Sequence, residues 1–343
     1  MKKALFIVVM AAVAIAVVFW GRPNGGKPES VQKQTRFLMN TCVTIQVPGD
    51  ARAVKTIEEA FDRMDEVDRK FNVRSSESPI YHFNHENVPI TDPEVLALVE
   101  TSLELSKESG GAFDITVYPL VDLWGFFRDA PAVPASADIA ACVKKVGWQQ
   151  LRIESGSLTK MNSDVEIDLG AIAKGYAVGE AVKVLKGAGV TSALIDAGGD
   201  IYAIGELRGR PWKVGIRNPR GEGVIGVLDV SDLTIVTSGD YERFFEKDGV
   251  RYHHILDPAS GFPSDGLISV TVICDDAVRG DGLSTALFVL GAERGMELVE
   301  HMDGVEAIMV MKDEEILISQ GLKGTMETVS APVAENPFIS VGN

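Results

Sequence analysis

The stretch Val165-Glu-Ile-Asp-Leu-Gly-Ala-Ile-Ala-Lys-Gly-Tyr-Ala-Val-Gly179 reads as a strand that turns at Gly170 into the first turn of a helix. C-terminal to it, short apolar runs recur at 192–196, 200–204, 212–216, 224–229, 233–237, 268–274 and 305–318, and another precedes it at 151–154. In this half only two helices interrupt the strands, one over 171–186 and one over 282–301. N-terminal to it, Thr41 to Val47 alternates as a strand, and Val54, Ile57, Phe61, Met64, Val67 and Phe71 recur at three and four, the period of an amphipathic helix. A second helix spans Pro93 to Ser109 and ends at Gly110 and Gly111. Neither a regular βαβ alternation nor a repeat is present. The pattern predicts an α+β fold, with mixed, largely antiparallel sheets and flanking helices.

The 343 residues, 45% of them apolar, are enough for one large domain or two closely packed ones. Lys2 and Lys3 precede an unbroken apolar run from Ala4 to Trp20, followed by Gly21, Pro23, Gly25 and Gly26. This is an export signal, and its length suits either a cleaved signal peptide or an uncleaved anchor over 1–20. The run is not followed by Cys, so a lipoprotein attachment site is lacking. The folded part is therefore expected in the periplasm, or on the outer face of the inner membrane. Residues 21–34 read as a linker, 35–325 as the folded domain and 326–343 as an irregular tail. Cys42, Cys142 and Cys274 are too few and too scattered for a metal–thiolate cluster and allow at most one disulfide. A formal net charge of −16 argues against nucleic acid as a partner.

Five stretches carry chemistry. In 165–179, backbone N–H groups at the helix start favour an anion, Lys174 adds an ammonium, and Asp168 can accept from a sugar or ring nitrogen. In 270–286 a strand leads through a short turn into a helix; Asp281 stands where an N-cap would, with Thr285 four residues on, so both oxygens face one space. A carboxylate, a hydroxyl and a nearby carbonyl are the hard ligands that Mg²⁺ takes alongside water and phosphate. In 251–263, His253 and His254 are neighbours, so in a strand one at most reaches a site, where it can act as general base. In 109–120, glycines permit close backbone approach and Phe113 offers a ring. In 196–201, paired glycines mark a turn or a close approach.

Together, from about Thr35 to Gly321, these stretches resemble the ApbE family of FAD:protein FMN transferases. The resemblance rests on G-A-F-D-I-T, D-L-G-A-I-A-K-G-Y-A, D-A-G-G-D-I, T-S-G-D-Y-E-R-F-F, H-H-I-L-D-P-A-S-G-F-P and D-G-L-S-T-A-L-F-V-L-G, in that order. It implies that Asp281, Thr285 and the carbonyl of Ala171 hold Mg²⁺, and that Asp168, Lys174 and Ser284 contact FAD beside it. Met39, Ala112, Phe113, Asp114 and Ile255 would line the flavin or adenine pocket, and His254 matches the family's proposed base. The implied reaction moves FMN from FAD to a Thr or Ser hydroxyl of an acceptor protein and releases AMP. Water in place of the hydroxyl would give a FAD pyrophosphatase side activity. Acceptors of the family are subunits of membrane electron-transfer complexes. Two departures stand out: Val73 occupies a position where many relatives have an aromatic residue, and Ser284 one where some have an acid.

Overall fold

The computed structural model describes residues 30–128 and 130–328, so the apolar segment at 1–20 lies outside the described residues. The chain opens with the antiparallel pair β1 (Val31–Leu38) and β2 (Thr41–Pro48). Strand β1 begins four residues before the expected domain start, and the end of the expected linker is paired in a sheet. Helix α1 (Ala51–Phe71) is capped by Asp50, which accepts from the Arg52 N–H, and it buries Ile57, Ala60, Phe61, Met64, Val67 and Phe71 along one stripe. Next come α2 (Pro79–Glu86) and α3 (Pro93–Glu108), the latter capped by Asp92 through bonds from Glu94 N and Val95 N. Two short helices, α4 (Tyr118–Trp124) and α5 (Ser136–Val143), and a hairpin of β3 (Leu151–Glu154) and β4 (Ser157–Lys160) lead to the 165–179 stretch.

There the expected strand over 165–169 is extended but joins no ladder. The Asn84 side chain donates to the Ile167 carbonyl and accepts from its N–H, both at 2.8 Å, and Asp168 N bonds to the Ile115 carbonyl at 2.8 Å. A buried side-chain amide thus does the work of a partner strand. Helix α6 (Ala173–Gly187) follows. Strands β5 (Ser192–Ala197), β6 (Asp200–Gly205), β7 (Trp212–Arg217), β8 (Val224–Val230) and β9 (Leu233–Gly239) match the expected positions, after which comes an unforeseen hairpin, β10 (Phe244–Lys247) with β11 (Val250–His253).

Strand β12 (Leu267–Cys274) leads into α7 (Ala277–Leu290) and α8 (Ala292–Glu300). The single helix expected over 282–301 is therefore two. The first starts earlier because Asp276 caps it, accepting from Val278 N and Arg279 N, and it stops at Gly291, whose φ of 78° no helix allows. Asp281 is accordingly not an N-cap; it sits in the second turn. The run at 305–318 is a hairpin, β13 (Glu306–Met311) and β14 (Ile316–Ile318), and β15 (Glu327–Thr328) pairs with β8 inside the expected irregular tail.

An eight-stranded antiparallel sheet in the order β1-β2-β5-β6-β9-β12-β13-β14 divides two cores. Ala193, Ile195, Val270 and Val272 point to the helices α1, α3, α6 and α7, whereas Leu194, Ile201, Ile235, Ile273 and Ile308 point to the small sheet of β7, β8 and β15 around Trp212. Both faces are covered, so the middle strands are largely apolar and β12 is buried at every residue.

Candidate functional site

One end of the large sheet gathers the β1–β2 turn at Met39–Asn40, the β5–β6 turn at Gly198–Gly199, the last residues of β9 and the first of β12. Met39 and Asn40 both have positive φ, and the Met39 N–H bonds to Asp68 Oδ2 at 2.9 Å. Gly198 is needed where it stands: its φ is +67°, and a Cβ there would lie 2.1 Å from Thr41 Oγ1.

Over this end α6 and α7 meet at Gly175, where a Cβ would lie 2.1 Å from the Ala277 carbonyl oxygen and 2.7 Å from Asp281 Cβ. The contact lets the Gly175 N–H donate to Asp281 Oδ2 at 2.8 Å. In an unbroken helix that N–H would bond to the Ala171 carbonyl. Among the described residues no backbone N–H bonds to that carbonyl, which lies one helical turn before Gly175. Thr285 is one turn along α7 from Asp281, 3.4 Å from Ser238 Oγ. Asp281, Ala171 and Thr285 thus offer a carboxylate, a carbonyl and a hydroxyl at one helix crossing, the donor set of a hard cation. Among the described residues no three His, Cys, Asp or Glu side chains form a metal-binding group, so a cation here would complete its shell with water and ligand oxygens.

Lys174 is not a free ammonium. Its Nζ lies 2.5 Å from Oδ2 of Asp200, a residue 1% exposed, while Asp200 Oδ1 is buried without a partner. Burial works against the Lys174 charge, but Asp200, Asp281 and Glu242 outweigh it and hold the ammonium protonated. Burial raises both Asp200 and Asp281, with Lys174 opposing in each case. Burial thus favours the neutral acids, and a bound cation would draw them back to carboxylates.

His254 follows β11, and its N–H donates to the Arg243 carbonyl at 3.0 Å. Its Nδ1 is buried without a partner. Burial, then the charges of Arg243, His253 and Lys174, push it down to about 3, so the imidazole is neutral and able to accept a proton. His253 points the other way: it is 5% exposed, bonds through Nε2 to the Ser264 carbonyl at 2.9 Å and packs edge-on against Phe288. His253 is thus engaged on its own face, apart from His254.

Several expected ligand contacts are engaged elsewhere. The Phe113 ring is 1% exposed and packs at the α7 glycine Gly282, so it is core. Both Asp114 oxygens are spent, Oδ1 on Thr116 N and Oγ1 and Oδ2 on Trp148 N. The Ser284 hydroxyl is fully buried between Ser238 Oγ and the Asp281 carbonyl. Ile255 is buried in the main core. Asp168 accepts from Gly170 N at 2.9 Å, and burial raises its carboxyl against Arg74 and Arg243. Asp200, Glu242 and Arg243 were missed as site residues although D-A-G-G-D-I and T-S-G-D-Y-E-R-F-F contain them: an acid or base beside a turn carries no mark of the long-range partner it meets.

The ApbE family model matches residues 39–309. The FAD:protein FMN transferase of Treponema pallidum is 33% identical over 297 residues, spanning 80% of this chain and 82% of that protein. The protein of the same name from Klebsiella pneumoniae is 35% identical, spanning 84% and 92%. Among solved structures, the ApbE protein of Thermotoga maritima superposes with a TM-score of 0.81 at 33% identity, covering 86% of this chain and 99% of that one. The apo flavinyl transferase ApbE of Pseudomonas stutzeri gives 0.76 at 34%, covering 86% and 96%. With a family match over most of its length and a fold shared almost end to end, the chain belongs to the ApbE family.

Proposed function

We propose that this protein is an exported FAD:protein FMN transferase that uses Mg²⁺ to move FMN from FAD onto a Thr or Ser hydroxyl of an acceptor protein. The observation that supports the reading most directly is the α6–α7 crossing, where the Asp281 carboxylate, the open Ala171 carbonyl and the Lys174–Asp200 pair meet within the electrostatic reach of a neutral His254. Family membership supplies the substrate class.

In this reading Asp281, Thr285 and the Ala171 carbonyl hold the cation, which when bound neutralises charge on the pyrophosphate. Lys174, fixed by Asp200, and the first N–H groups of α6 bind the same phosphates. Met39, Ala112, Phe113, Asp114 and Ile255 serve the flavin or adenine largely through their main chain, since the Phe113, Asp114 and Ile255 side chains are buried or bonded. Asp168 orients a ring or sugar donor. His254 takes the proton of the acceptor hydroxyl as its oxygen bonds to the FMN phosphorus; the bond to the bridging oxygen breaks and AMP leaves with it. The attacking group belongs to the partner, so the chain needs no nucleophile of its own. The acceptors we propose are flavoprotein subunits of membrane electron-transfer complexes, met at the outer face of the inner membrane.

AMP release from FAD, followed with an acceptor domain at limiting Mg²⁺, tests the assignment. Asp281→Ala should abolish it, as EDTA should in the wild type, because the one charged ligand is lost. Full activity in the Ala variant would remove Asp281 from the site.

A further inference from the structure

The half-buried arginines of this chain are paired with carboxylates almost without exception. Arg63 bonds to Glu94 and Glu180, Arg220 and Arg251 reach Asp240, and Arg279 reaches Glu108. Arg243 differs. Among the described residues its guanidinium makes neither a hydrogen bond nor an ion pair, and it rests over the Phe127 ring at 4.6 Å from the centroid. Arg74 lies over the same ring at 4.7 Å and donates to the Phe127 carbonyl at 3.3 Å, which fixes the platform.

Stacking of this kind uses the face of a guanidinium and leaves its N–H edge free. A largely desolvated cation with unspent donors is costly unless something accepts from it. The nearby carboxylates Glu242 and Asp168 act on Arg243 through their charge, yet neither bonds to it. The location names the missing acceptor. Because Phe244 pairs with His253 across β10 and β11, the Arg243 carbonyl receives the His254 N–H, and the His254 imidazole feels two cations, Arg243 and Lys174. A group that satisfies both cations beside a neutral imidazole is an anion, and the planar fork of arginine matches two phosphate oxygens.

We propose that Arg243 is a further phosphate-binding residue of this site, gripping the pyrophosphate of the nucleotide; the proposal rests on the flavin-transferase reading above. Phe127 and Arg74 position it.

The test measures affinity for FAD, and for riboflavin, which carries the ring system without phosphate, at saturating Mg²⁺ in wild type, Arg243→Met and Arg243→Lys. Methionine keeps an apolar stem on Phe127, and thermal unfolding of each variant checks the fold. Arg243→Met should weaken FAD binding about 10- to 100-fold, the range of a lost charge-assisted pair, and leave riboflavin binding unchanged. Arg243→Lys should fall between, since it restores charge without the fork. FAD affinity in Arg243→Met within about twofold of wild type, or an equal loss for riboflavin, overturns the proposal. A wild type that binds FAD in this phosphate-dependent way yet transfers no FMN would instead sink the transferase reading and leave Arg243 as assigned.

Discussion

The clearest consequence at the scale of single residues concerns His254. An unperturbed histidine titrates near ~6.5, and a base of that kind would lose activity as pH falls through this value. His254 is pushed down to about 3 by burial and by the neighbouring charges of Arg243, His253 and Lys174. Its neutral, proton-accepting form therefore persists at every pH above that value, and the transfer rate should show no step near ~6.5 arising from this residue. His254→Ala should lose about 10²- to 10⁴-fold in rate and keep its FAD affinity, whereas His253→Ala, a change on the opposite face, should cost stability rather than chemistry. Rates for the two variants between pH 5.5 and 8 (roughly the range around the ordinary histidine pKa) check this; a wild-type step near ~6.5 that vanishes in His254→Ala would contradict it. Residue chemistry was partly legible in the sequence. The Asp281 and Thr285 spacing, and the rule that His253 and His254 face opposite ways, follow from helix and strand periodicity; the choice of His254 came from the family resemblance. Asp200 does not, because its partner Lys174 is 26 positions away and only folding brings them together.

Among the elements, α7 shows why a local reading misplaces a boundary. Three acids, Asp275, Asp276 and Asp281, and two glycines, Gly280 and Gly282, precede the apolar run, and intrinsic preference puts the start at Gly282, with Asp281 as its cap. The glycines belong to the helix for a tertiary reason: a Cβ on Gly280 would lie 3.1 Å from Thr234 Cγ2, and one on Gly282 2.5 Å from Leu105 Cδ1. Moving the cap to Asp276 frees the Asp281 carboxylate for the crossing with α6. That crossing yields a second expectation. Gly175→Ala gains about 1 kcal/mol of helix propensity in isolation. Here the added methyl meets the Ala277 carbonyl and must push the helices apart, so the variant should lose about 1 to 3 kcal/mol in urea unfolding and lose FAD affinity with the Asp281 bond. A variant as stable as wild type would show that the crossing is looser than described. The extended 165–169 segment was legible as strand-like but not as unpaired, since nothing in its residues announces that Asn84, some 80 positions earlier, replaces a neighbouring strand.

For the whole molecule, the fold class was readable where burial is two-sided. Continuous apolar runs became β5, β6, β9 and β12, the middle of the large sheet, and their crowding without βαβ alternation gave the α+β class. Edges were not readable. Strand β1 has one face toward solvent, five of its eight residues are Gln, Lys, Thr or Arg, and its first half reads as linker until β2 pairs with it. The same holds for β10 and β11, a hairpin that follows Arg243 and ends beside His254. At this scale the proposal is that the bound flavin nucleotide is attacked by a partner's hydroxyl rather than by water. The direct measurement is the intact mass of an acceptor domain, followed by peptide mapping, after incubation with the protein, FAD and Mg²⁺. The account predicts the mass of one FMN phosphoester on a single Thr or Ser, with one AMP released for each; AMP and free FMN with the acceptor unmodified would contradict it.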